Sequence, residues 1–368
     1  MDASTERDSS TEIDWDAFSR SAESAEFAAA AREHFATLFT TDDLRGIVDG
    51  RGGPDLWPAL VDQGYLGVGV PEGNDGIGTI VDLCAILEEA GRAMVPAPLT
   101  ATALATQTLL SAGLAEGPAS VPMALALPTA TGRLLAFDGS AAGTIVTVSS
   151  ADGGTAVRVM RVDRRDVVRD PEPVDETRAN AWIAADAGSE ISATWMPAEV
   201  DAVLAAARAC LAADLVGLAA GALDASVAHS RSREQFGQPI GGFQAVKHLL
   251  ANAYVSIERA RSLTLGAAVA VNGDRLGSEA RRLSLLAKAA ANEAALGATA
   301  LRTQLLGAMG LTFESDSPLA IRRARQTVPF LGSAGALYAR VAAEAAGEAA
   351  GQAAGEPTGE AAAQEQAA

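Results

Sequence analysis

Ser230-Arg231-Ser232-Arg233-Glu234-Gln235-Phe236-Gly237-Gln238-Pro239-Ile240-Gly241-Gly242-Phe243-Gln244 closes one long Ala-rich segment of helical pattern and opens another through a Gly/Pro turn. A guanidinium, amides, an aromatic ring and backbone N–H groups freed by glycine gather where one helix ends and the next begins. Arginine forks and helix termini both suit phosphate groups, so the stretch is built like a diphosphate grip. The plainer alternative is a helix–helix connection with a chance arginine.

Around this stretch the pattern is helical. Before it, residues from about Pro197 to Ser232 are apolar nearly all round, which predicts a central bundle helix. After it, Val246, Leu249, Leu250, Ala253 and Ile257 recur at helical spacing; Asn272-Gly273-Asp274 turns the chain, and a third helix continues to about Leu306. A fourth is expected from about Pro318 to Ala343. Four long helices with short connections predict an antiparallel bundle over residues 197–343.

Upstream, residues 121–196 switch to short β-like runs, Arg133 to Phe137, Thr144 to Val148, Thr155 to Met160 and Ile191 to Trp195, separated by turns such as Asp152-Gly153-Gly154. Residues 21–120 read as a helical block, with helices near Ala25–Phe39, after Pro54, over Ile80–Met94 and over Thr100–Ala112. Gly64 to Glu72 is expected to be extended. Residues 1–20 read as a flexible leader. Residues 344–368, rich in Ala, Gly and Glu without large apolar groups, are expected to lack structure. The predicted fold is mainly α with a small β domain in the middle.

A net charge of -18 argues against a partner made of nucleic acid or anionic lipid, since phosphate neutralisation needs a basic face. Cys84 and Cys210 sit far apart in apolar helical contexts and read as buried thiols, not as a disulfide. His34, His229 and His248 lack zinc-like spacing, so no metal is expected. The acidic start lacks a basic segment followed by an apolar core, and no long uncharged apolar window occurs, which predicts a cytoplasmic protein.

Helices, then β, then a four-helix bundle, joined to this loop, resemble the acyl-CoA dehydrogenase family over roughly residues 25–343. The most specific match is Arg233-Glu234-Gln235-Phe236-Gly237-Gln238-Pro239-Ile240 with Phe243-Gln244. In that family this loop reaches across a dimer interface to the diphosphate of FAD held mainly by the neighbouring subunit. Gln304-Leu305-Leu306-Gly307-Ala308-Met309-Gly310, ending in Arg322-Arg323-Ala324, is similar to the segment on the adenosine side of the flavin. Leu56-Trp57, Gly64-Tyr65-Leu66-Gly67, Val70-Pro71-Glu72 and Glu88-Glu89-Ala90-Gly91-Arg92 look like the family's helical lid block. The resemblance implies FAD binding by Arg233, Gln235, Phe236, Gln244, Gln304, Gly307 and Gly310. Phe236 as plain core and Gln304 as a surface residue remain the alternatives.

The family removes an α-proton from an acyl-CoA with a glutamate while a hydride passes to the flavin. Matched by position, the two places that hold this base in relatives are Ala207 and Leu331 here, and neither is a carboxylate. The ring-binding Glu-Pro-x-Ala-Gly-Ser-Asp segment has no counterpart beyond Leu127-Pro128-Thr129-Ala130. No catalytic residue is therefore assigned. The chain resembles the degenerate subunit of actinobacterial heterotetrameric acyl-CoA dehydrogenases, some of which act on CoA-linked steroid side chains. That implies a homologous catalytic partner, FAD shared with it, and an acyl-CoA substrate in the complex. Two other readings stay open: a homomeric enzyme with a displaced base at Glu314 or Glu234, and a scaffold without chemistry.

Overall fold

The computed structural model describes residues 21–115, 117–129, 131–184, 188–312 and 315–355. The expected leader and residues 356–368 lie outside them. Five helices open the fold: α1 (Ala22–Leu38), α2 (Thr41–Val48), α3 (Trp57–Asp62), α4 (Ile80–Ala93) and α5 (Leu99–Ser111). Helix α2 was not anticipated; its signal is a capping box, in which Thr40 and Asp43 satisfy each other's backbone N–H groups. The stretch expected to be extended, Gly64 to Glu72, curls instead through 3₁₀ turns at Tyr65–Gly67 and Glu72–Asn74, because Gly64 and Gly69 take positive φ of 78° and 76°.

The middle of the chain forms one seven-stranded sheet: β1 (Met123–Pro128), β2 (Arg133–Ala136), β3 (Thr144–Ala151), β4 (Gly154–Arg161), β5 (Val167–Arg169), β6 (Ala181–Ala184) and β7 (Ser189–Met196), in the order β5-β6-β2-β1-β3-β4-β7. Only the β1–β3 pair is parallel; the others are antiparallel. The predicted Asp152-Gly153 turn joins β3 to β4 with both residues at positive φ, matching the right-handed twist of the strands.

The C-terminal helices are α6 (Val200–Val203), α7 (Ala205–Ser232), then, after the Gly/Pro stretch, α8 (Gln244–Gly273), α9 (Ser278–Leu306), α10 (Ser317–Thr327) and α11 (Ala334–Gly355). Helix α7 is buried over most of its length, as its all-round apolar sequence requires. It is also the one helix among the described residues long and apolar enough to cross a membrane, and it forms the centre of the bundle. The expected fourth helix is broken: Val328 to Ser333 interrupt it, with Leu331 and Gly332 at φ 61° and 114°. Helix α11 runs into the stretch expected to lack structure, since alanine sustains a helix without any large apolar residue.

Helices α4 and α7 cross at backbone contact. A Cβ on Gly217 would fall 1.7 Å from the Glu88 carbonyl oxygen, and one on Gly91 1.9 Å from that of Asp214. Only glycine permits this approach. It brings buried Glu88 and Glu89 of α4 against arginines: Arg261 of α8 reaches Glu88 at 3.0 Å, and Arg32 of α1 forks onto Glu89 at 2.8 and 2.9 Å. One apolar core, including Phe35, Leu87, Leu104, Val146, Leu215 and Val328, joins the helical block, sheet and bundle. Cys84 and Cys210 are buried within it and are not joined in a disulfide.

Candidate functional site: an outward hairpin and an inward cavity

The Gly/Pro stretch folds as a small hairpin, a detail the sequence reading had not resolved. Glu234–Gln235 pairs with Gln238–Pro239, and the two turn residues, Phe236 and Gly237, take φ of 54° and 80°. Two consecutive left-handed residues make the tight turn whose twist suits a hairpin. Its base closes where the Ile240 N–H donates to the Arg233 carbonyl at 2.8 Å. Phe236 is 93% exposed and meets Phe243 edge-on, with ring centroids 6.1 Å apart. It is not core. Arg233, Gln235 and Gln244 are exposed; Gln235 Nε2 donates to the neighbouring Glu234 carbonyl, and the Arg233 guanidinium has no partner among the described residues.

Gln304 is exposed at the end of α9, where Gly307, at φ 63°, turns the chain into a 3₁₀ turn ending at Leu311. Gly310 has a packing role: its Cβ would meet the Thr303 carbonyl oxygen at 2.5 Å. Helices α8 and α9 are antiparallel, and the Arg259–Glu293 ion pair at 2.6 Å sets their register. Counting equally back from Arg259 and on from Glu293 brings Gln244 level with Ala308. The two segments singled out in the sequence thus share one end of the bundle. Around them Leu249, Tyr254, Val255, Met309 and Leu311 are exposed, an apolar face left uncovered by the described residues. Arg322 and Arg323 are directed elsewhere: Arg322 pairs with Glu176, and fully buried Arg323 donates to Asp175, Thr177 and the Val95 carbonyl.

The two positions matched to the family's base lie inside the molecule. Ala207 is buried in α7, and Leu331 lines a cavity of about 1290 Å³ between the sheet and the bundle. Four carboxylates line that cavity, and three are paired. Asp201 accepts from both Arg208 and Arg340, while Glu199 and Glu344 pair with Arg281. The fourth, Asp152, is exposed on the β3–β4 turn. Glu234 sits on the outward hairpin, away from the cavity, and Glu314 lies outside the described residues.

Whether the ring half of a flavin fits this chain turns on the end of β1. There the Thr129 N–H and hydroxyl both donate to the Arg133 carbonyl, at 2.9 and 2.7 Å, closing the β1–β2 turn. Both Thr129 donors are thus engaged within the chain and are not presented to a ring. For the diphosphate half the chain offers the exposed Arg233 guanidinium, which has no hydrogen-bond or ion-pair partner among the described residues.

The turn bearing Leu331 is held by residues the sequence reading missed. Lys288, buried on α9, donates to the Val328 carbonyl at 3.1 Å and to Asn292, which donates in turn to the Gly332 carbonyl at 3.0 Å. The spacing of Lys288 and Asn292 was visible; their burial opposite this turn was not. Burial, with Arg208 nearby, pushes the Lys288 ammonium well below its ordinary 10.5. Between that depressed value and 10.5 the unfolded chain holds a proton the folded chain does not, so stability rises with pH across this window. Thermal melts should therefore show the wild type gaining on Lys288→Met as pH climbs to 10.5; parallel curves would reject the assignment.

The helical block, central sheet and bundle, with a hairpin facing out and a cavity facing in, make up the fold of the acyl-CoA dehydrogenases. The chain belongs to the acyl-CoA dehydrogenase family: residues 21–117 match the acyl-CoA dehydrogenase N-terminal domain and residues 199–346 its C-terminal domain. It is 35% identical over 331 residues to the acyl-CoA dehydrogenase FadE34 of Mycobacterium tuberculosis, a match covering 85% of this chain and 45% of FadE34. The chain thus spans less than half of that relative. It is 32% identical to IpdE2 of Mycolicibacterium smegmatis, covering 76% of this chain and 84% of IpdE2. Among solved structures, a variant of the Tcur3481-Tcur3483 steroid ACAD superposes with a TM-score of 0.76 at 28% identity, over 89% of this chain and 99% of that one.

Proposed function

We propose that this chain is the non-catalytic subunit of an FAD-dependent acyl-CoA dehydrogenase of α2β2 type, and that its Arg233 hairpin completes the FAD site of a homologous catalytic partner. The observation that carries the reading is the hairpin itself: Phe236 stands 93% exposed beside an unpartnered guanidinium, while both base positions, Ala207 and Leu331, are apolar. An aromatic ring left this exposed by the described residues is accounted for by a second chain that covers it. FAD would supply hydride acceptance on the partner; Arg233 and Gln235 would hold its diphosphate, with Phe236 and Gln244 beside it and Gln304, Gly307 and Gly310 on the adenosine side.

Two relatives support an unlike partner. More than half of FadE34 lies outside the match, enough for a second chain of similar size. The steroid ACAD structure pairs two gene products in its name. That name also supports a steroid side-chain CoA thioester as the substrate class. Expressed alone, the chain should be flavin-free or insoluble; co-expressed with its homologue it should be yellow and reduce a dye with acyl-CoA. A flavin-loaded, active homomer obtained from the single chain would overturn the proposal.

A further inference from the structure

Two arginines and three aspartates are buried together where the helical block, sheet and bundle meet, and both cations are committed to two of the acids. Arg178 sets Nη2 on both oxygens of Asp214. Arg323 donates to Asp175, to the Thr177 hydroxyl and carbonyl, and to the Val95 carbonyl. Asp138, between β2 and the Gly139–Ala141 turn, is left over. Among the described residues its carboxyl accepts one hydrogen bond, from the Ala179 N–H at 2.7 Å, and neither guanidinium donates to it. The backbone is pinned too, with φ at 51° and the Asp138 N–H on Asn180 Oδ1 at 2.9 Å, so the carboxyl stays inside, 5% exposed.

No further cation among the described residues donates to it. Strands β1 and β6 carry no charged side chain, and β5 carries Arg169, exposed and donating to the Glu176 carbonyl. Glu176 pairs with Arg322, and Asp170 accepts from the Glu172 N–H. Lys288 of α9 acts on Asp214 but donates to Asn292 and the Val328 carbonyl. A buried carboxylate without a cation is costly, whereas the protonated acid is neutral. Burial accordingly pushes the Asp138 carboxyl up, against the pull of Arg178, the Ala179 N–H and Arg323. We infer that Asp138 is a proton switch at this junction: the folded chain holds it as the neutral acid, and ionisation, its proton passing to solvent, sets a third carboxylate against Arg178 and loosens the clamp on Asp214. The cavity wall is linked to it, because Phe137, its neighbour in the chain, stacks on cavity-lining Phe330 with centroids 4.9 Å apart. The inference does not rest on the partner-subunit reading, and its readout involves neither flavin nor turnover.

Unfolded, the group ionises near its ordinary 3.8; folded, it keeps its proton to higher pH. The folded chain binds more protons in between, so stability falls as pH rises from 3.8 through the folded value. Urea unfolding of the full chain, or of the complex where the chain needs its partner, is followed by circular dichroism across this range. Asp138→Asn copies the neutral acid, keeps an acceptor for the Ala179 N–H and cannot ionise. Its midpoint should gain on wild type by at least about 0.5 M between pH 4 and pH 8. Asp175→Asn removes a carboxylate that Arg323 holds and should instead lose midpoint at pH 8. Parallel midpoints for wild type and Asp138→Asn, or an equal gain by Asp175→Asn, would overturn the inference. Wild type labelled with ¹³C-aspartate should also show the C=O stretch of an aspartic acid in the infrared at about pH 6; its absence would overturn the inference even if Asp138→Asn fails to fold.

Discussion

Arg233→Ala, introduced into the co-expressed complex, is expected to strip FAD and turnover together while the chain's own stability stays within about 0.5 kcal/mol of wild type. The split follows from geometry. Arg233 is exposed and its guanidinium has no hydrogen-bond or ion-pair partner among the described residues, so its removal leaves no buried group unpaired. In the complex it would face a diphosphate in a desolvated interface, where truncating one side of a charged pair costs about 2–5 kcal/mol. That corresponds to roughly 30-fold to several thousandfold weaker flavin retention. Arg233→Lys keeps the charge but loses the fork, and should fall between. The readout is the flavin-to-protein absorbance ratio after gel filtration. An unchanged ratio would favour a scaffold role.

Asp214→Ala should have the largest effect on the fold itself, a loss of about 3–5 kcal/mol in urea unfolding. Asp214, on α7, is 1% exposed and takes Arg178 Nη2 on both oxygens at 2.7 Å and the Thr100 hydroxyl of α5 at 2.9 Å. Arg178, 2% exposed, stands over the Phe137 ring at 4.8 Å. Burial works against the Arg178 charge, but Asp214, Asp138 and Asp175 outweigh it and hold the guanidinium above its ordinary value. Removing Asp214 leaves that cation buried at the meeting point of helical block, sheet and bundle. Adding Arg178→Met should recover much of the loss, because a pair of apolar groups tolerates burial where a lone charge does not. A single-mutant loss below about 1 kcal/mol would show that the pair does not join these parts.

Much of the fold was legible because its signals are local. Apolar periodicity placed α4 and α8, the Asn272-Gly273-Asp274 turn marked the start of α9, and Asp152-Gly153-Gly154 marked a turn between two β runs. What was missed depends on sequence-distant partners. Helix α2 is short and rests on one capping box, and the break at Val328–Ser333 is held by Lys288 and Asn292 from another helix. The seven-strand order, with its single parallel pair, is a choice among topologies that alternation alone does not make.

The candidate site divides in the same way. The sequence by itself determined the family, the hairpin stretch around Arg233, and the absence of a carboxylate at Ala207 and Leu331, because each is a matter of residue identity and spacing along the chain. Only the tertiary structure decided that Phe236 faces outward, that Gln244 and Ala308 come level at one end of the bundle, and that buried Arg208 pairs with Asp201 at the cavity wall. Exposure, register and charge balance are properties of packing between distant segments, and no local pattern encodes them.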